Sequence, residues 1–91
     1  MNTTQKHLAR HALGLDGHRK SSYRNRYAAS PGSPEDREWF EMMKAGEAEI
    51  HKMNIGMTHL NFYSLTDQGA KAALNEGEYL DAEDFPDKET T

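Results

Sequence analysis

Residues 18–27 hold His18, Arg19, Lys20, Arg24 and Arg26 interleaved with Tyr23 and Tyr27. Guanidinium and ammonium groups neutralise phosphates and tyrosine rings stack on bases, so this stretch is suited to nucleic acid. It is equally suited to a protein interface, where Arg and Tyr are enriched at hot spots. In a third arrangement the arginines pair with the chain's own acids while the tyrosines join the core. A second constellation is anionic: Glu35, Asp36, Glu38 and Glu41 fall close together, and Glu76, Glu78, Asp81, Glu83 and Asp84 crowd the C-terminal end. A dense carboxylate array competes for the Lys and Arg that otherwise hold phosphates, and opposite charge speeds such association. These nine acids are the expected protein-binding set, directed at a basic protein or protein–nucleic acid complex. Arg19, Lys20, Tyr23, Arg24 and Arg26 form the alternative, nucleic-acid-binding set.

Other chemistry is poorly provided for. His7 and His11 are four apart, the spacing that puts two imidazoles on one helix face. Two ligands are too few, no carboxylate stands at a helpful helical offset, and His51 and His59 have no reason to converge on them. Neither a metal nor another cofactor is expected. The chain has no Gly-x-Ser-x-Gly elbow, no phosphate-binding glycine loop and no cysteine, so nucleophilic catalysis is not expected either. The carboxylates of Glu35 and Glu38 fall on an exposed helical turn where nothing desolvates them for acid–base work.

The elements that must carry these groups are signalled locally. A helix is predicted over 3–15, opened by an Asn2/Gln5 capping box, striped by Leu8, Ala12 and Leu13, and stopped by Gly14 or Gly17. Residues 16–30 fit a short helix or an irregular segment equally well. After the turn Ser30-Pro31-Gly32, Ser33 is a natural N-cap with Pro34 at the first helical position and Glu35 and Asp36 in the first turn. Trp39, Phe40, Met42 and Met43 then define a buried face up to Gly46. Alternation over 48–53 and 60–65, around a tip at 54–59 containing Gly56, predicts two antiparallel strands. Thr66 caps a last helix with Ala70, Ala73 and Leu74 on its apolar side.

Size and charge bound the whole. Ninety-one residues with 11 basic and 15 acidic side chains make one small domain of net charge −4 and exclude a multidomain enzyme. Leu, Ile, Val and Phe number only 12, so the core must be built from Ala, Met, Tyr and the single Trp. Residues 1–29 carry +5 and residues 30–91 carry −9, an asymmetry that implies internal attraction or two faces for opposite partners. Residues 76–91 hold seven acids and one lysine, a composition that stays disordered or packs late over a basic surface. No run approaches a membrane span or a signal peptide, so a cytoplasmic protein is expected.

The predicted order of helix, polar segment, helix, strand, turn, strand and helix resembles a winged helix-turn-helix domain over residues 33–75. The run FYSLTDQGAKAAL at 62–74 is its most specific part. In those families an aromatic of the last wing strand precedes Leu-Thr, the Thr caps the closing helix, and a Gly three residues later lets it pack closely. These map to Tyr63, Leu65, Thr66 and Gly69, and Met42-Met43-Lys44-Ala45-Gly46 is similar to the helix end that leads into the wing. HALGL at 11–15 and SYRNRY at 22–27 also resemble small phage and prophage proteins of unassigned function. The resemblance implies a genomic setting and a fold, and transfers no site residues.

The expected architecture is therefore α+β: a small winged-helix-like domain over residues 1–75, with helices and a two-stranded antiparallel wing, followed by an acidic tail over 76–91. The expected function is that of a non-enzymatic, phage-encoded protein whose acidic surface blocks a host nucleic-acid-handling complex in the host cytoplasm, an anti-CRISPR-type inhibitor. The alternative is a phage winged-helix regulator that binds DNA. For that role the helix beginning at Ser33 has the wrong sign, because its exposed charges sum to −2.

Overall fold

The computed structural model describes residues 1–15, 18–51 and 59–86. It is a small α+β structure of three helices and a three-stranded antiparallel sheet. Helix α1, Thr3–Leu13, opens on the capping box in both directions: Gln5 N donates to Asn2 Oδ1 (2.7 Å) and Asn2 N donates to Gln5 Oε1 (3.0 Å). It stops two residues short of the predicted end because Gly14 turns left-handed (φ 77°) and returns its N–H to the last turn. The Tyr23 ring lies so close to Gly14 that a Cβ there would sit 2.1 Å from ring atom Cε1. Helix α2, Pro34–Lys44, begins as its sequence requires, with the Asp36 N–H on Ser33 Oγ at 3.1 Å.

The strands are β1, Tyr27–Ala29, β2, Ala48–His51, and β3, Asn61–Leu65, in the order β1-β3-β2. The two expected strands are thus joined by a third, from the segment whose sequence left its conformation open. Asn25 extends that pairing with its side chain, accepting from Leu65 N (2.7 Å) and donating to Leu65 O (3.0 Å). β2 ends at His51, and the predicted tip lies, apart from His59, outside the described residues. Because β1 intervenes between α1 and α2, these helices are not joined by the tight turn of a helix-turn-helix pair.

The register places Tyr27, Ile50 and Tyr63 on one side of the sheet and Ala28, His51 and Phe62 on the other. Trp39 of α2 packs on the first side, stacked on Tyr63 (5.4 Å between centroids) and tilted against Tyr27 (5.3 Å). Around these rings the core is filled by Leu13, Met42, Leu65 and buried alanines at 9, 12, 29, 48, 70 and 73. The predicted buried face of α2 needs one correction. Phe40 is 46% exposed, because one residue beyond Trp39 is a rotation of about 100° away from the sheet. Its ring lies under Lys44 Nζ at 5.4 Å instead.

Helix α3, Asp67–Ala72, is capped by Thr66, whose Oγ1 accepts from Gly69 N (3.1 Å) and donates to Gly46 O (2.7 Å). Gly69 meets the backbone of Glu47: a Cβ at this position would fall 1.9 Å from the Glu47 carbonyl oxygen. Beyond α3 the chain packs back on the N-terminal half. Tyr79 N donates to Lys20 O (2.8 Å), Ser22 N to Tyr79 O (3.1 Å) and Asp81 N to Ser22 Oγ (2.8 Å), while Leu80 and Phe85 rest against the core. Of the two states open to the acidic segment, residues 76–86 take the packed one.

Gly69→Ala separates helix propensity from close packing. Propensity alone favours alanine by about 1 kcal/mol. The Glu47 approach opposes this with an overpacking cost of about 1–3 kcal/mol or more, so a net loss is predicted, read as a lower urea midpoint at unchanged slope.

Candidate interaction surfaces

The four acids of α2 separate into different roles. Glu35 and Glu41 are exposed, and Glu41 lies 2.9 Å from Lys44 in a solvent-exposed pair worth only about 0.3–0.5 kcal/mol. Glu38 is half-buried and accepts from Gln5 Nε2 at 3.3 Å. Together Glu35, Glu38 and Glu41 line one wall of a groove of about 680 Å³, where Arg37 of the same helix also lies, with Thr3, His7 and Leu8 of α1 opposite. Spacing of three residues along α2 is what aligns them.

Asp36 does not join this wall, which corrects its place in the anionic set. Its carboxylate turns inward and accepts from Tyr63 Oη (2.7 Å), Asn61 Nδ2 (3.0 Å) and Gly32 N (2.9 Å). Burial pushes its pKa up, but the three donors together more than offset this and hold the carboxyl below its ordinary value. Burial, and then the bond to Asp36, push the Tyr63 phenol up to about 12. This Asp36–Tyr63–Asn61 cluster ties the first turn of α2 to β3. No sequence spacing announced it, since its members are 25 and 27 residues apart.

The C-terminal acids divide in the same way. Glu78 is committed internally, forming two hydrogen bonds to the Arg10 guanidinium at 2.5 and 2.8 Å and accepting from Asn75 N. The Arg10 bonds hold its pKa at about 2, against the opposing effect of burial. Arg10 also donates to Ala73 O at 3.0 Å, so one side chain ties α1 to the end of α3 and to the segment that follows it. Asp81 is half-buried and uses Oδ1 to accept from Glu83 N. Glu76, Glu83 and Asp84 remain exposed.

The basic stretch is only partly consumed. Arg19 lies over the Tyr23 ring at 4.4 Å and Arg24 at 5.2 Å, and Tyr23 is 48% exposed. Arg24 also donates through Nη2 to His11 O (2.8 Å), whereas Lys20 and Arg26 project from the surface. A depression of about 390 Å³ is lined by His11, Arg24, Arg26, Tyr27, Ala28 and Phe62. Sequence reasoning missed Phe62 and His11 here. Alternation places Phe62 in a strand, and pairing with Ala28, with its small side chain, leaves the half-buried ring open on one side to this depression.

Among the described residues no three His, Cys, Asp or Glu side chains gather as a metal site, and no helix is long and apolar enough to cross a membrane. No protein-family model, curated protein or solved structure matches the chain.

Glu78 and Asp36 both have lowered pKa values in the folded state, so their contribution to stability is present above the ordinary carboxylate range and is lost as pH falls. For Glu78 the loss runs from about pH 4.5 down to about 2. Glu78→Gln is expected to cost about 1.5–3 kcal/mol at neutral pH and to flatten the urea midpoint's pH dependence in that window. Glu76→Gln, at an exposed position, is expected to change neither.

Proposed function

We propose that the protein is a non-enzymatic interaction protein of phage type whose acidic face occupies a basic surface of a nucleic-acid-handling complex and blocks it. The observation that carries this reading is the groove between α1 and α2. Glu35, Glu38 and Glu41 outnumber Arg37, the one Lys or Arg that lines the groove with them, and Leu8 and Pro34 supply apolar surface against which a Lys or Arg stem can lie. Net charge −4 and the exposed Glu76, Glu83 and Asp84 add to the attraction for a cationic partner. An anti-CRISPR-type inhibitor is the concrete form, acting by occupancy of the residues that would hold phosphates.

A winged-helix-like scaffold fits this role. The sheet order β1-β3-β2, the hairpin-like pairing of β2 with β3, and the Thr66 cap with Gly69 packed on Glu47 support it. In such a scaffold α2 holds the position of the helix that enters a DNA groove, and the carboxylates of Glu35 and Glu41 oppose a phosphate backbone. That sign favours the protein ligand over the DNA-binding regulator.

The decisive measurement is inhibition of duplex-target binding by a purified CRISPR effector complex, followed by mobility shift with increasing protein. Inhibition is expected for the native chain. The charge-reversed combination E35K/E38K/E41K is expected to weaken it at least about tenfold, with a smaller loss at high salt. Equal inhibition by both proteins, or none by either, overturns the reading.

A further inference from the structure

The sheet has one face covered by Trp39 and the helices, and a second face on which Ala28, His51 and Phe62 stand together. Where that second face meets the end of α1, Phe62 and Tyr27 share a depression with Arg24, Arg26 and His11. A neighbouring depression of about 270 Å³ shares His11 and Arg24 and adds Tyr23. The Arg26 side chain forms no hydrogen bond or ion pair with the other described residues, although its backbone N–H donates to Ala12 O (3.2 Å), and the Arg24 guanidinium donates only through Nη2, to His11 O. The two depressions therefore form a continuous strip in which guanidinium groups alternate with ring surfaces, on a molecule whose remaining charge is strongly negative.

From this alternation we infer that the strip binds single-stranded nucleic acid, with phosphates on Arg24 and Arg26 and a base against Phe62. The charges are complementary to phosphodiesters, and a ring face accepts any base. A duplex keeps its bases paired and stacked, so it can use the arginines but not the rings. An acidic peptide has the same shortfall. The strip shares none of the α1–α2 groove's lining residues, so its failure leaves the acidic-face proposal intact.

The test is fluorescence anisotropy of a labelled oligothymidylate, beside a duplex of equal length and an oligoglutamate peptide, at increasing salt. Saturable binding of the single strand at low salt is expected. With two or three phosphates neutralised, log K falls against log salt with a slope of about −1.4 to −2.1, or about 7- to 18-fold between 50 and 200 mM. Arg26→Glu is expected to remove binding. Phe62→Leu, which keeps an apolar side chain, is expected to weaken it at least about fivefold without changing the salt slope. Unchanged circular dichroism in both variants assigns the losses to the strip. The inference is overturned by no saturable binding at low salt, by equal affinity for the duplex or for oligoglutamate, or by Phe62→Leu binding as tightly as the native chain.

Discussion

Trp39 is the contact on which this structure rests. A chain with only 12 Leu, Ile, Val and Phe residues cannot fill a core with branched aliphatics, and here one indole, packed on Tyr27 and Tyr63, joins α2 to two strands at once. Truncating so large a buried ring typically costs about 3–5 kcal/mol, a sizeable share of a small domain's stability. The alanines around it follow from the same shortage. Small side chains let α1 and α3 approach closely, and at Gly69 a Cβ has no room unless the Glu47 backbone shifts. Asp36 then orients the arrangement, because its bond to Tyr63 Oη ties the stacked ring to the start of the helix that carries Trp39.

Charge follows a comparable division between internal and external use. The opposite charges of the two halves are partly satisfied within the molecule, where Arg10 binds Glu78 and the C-terminal segment lies along Lys20 and Ser22. What remains outside is sorted by position. The N-terminal part of α1 walls an acidic groove with α2, and its C-terminal end borders a cationic, ring-lined strip. One helix thus separates two surfaces of opposite sign.

The local elements were readable residue by residue. Asn2/Gln5, Ser33-Pro34 and Thr66 mark the three helix starts because each cap is formed within a four-residue span, which neighbouring sequence alone can specify. β2 and β3 followed from alternation. β1 did not, since three residues carry too little pattern, and its existence depends on an edge of β3 that is more than 30 residues away. The exposure of Phe40 likewise reflects which arc of α2 meets the sheet, a choice that periodicity narrows but does not complete.

Composition and order alone marked the three helix starts, the apolar poverty of the core and the presence of both an acidic and a basic set. Tertiary contact decided which members of those sets face outward. Asp36 and Glu78 have the same chemistry as Glu35 and Glu76, yet the fold brings Tyr63 and Arg10 to the first pair and leaves the second in solvent. A carboxylate's role depends on donors supplied from distant parts of the chain, and those distances close only when the strands pair and the helices pack.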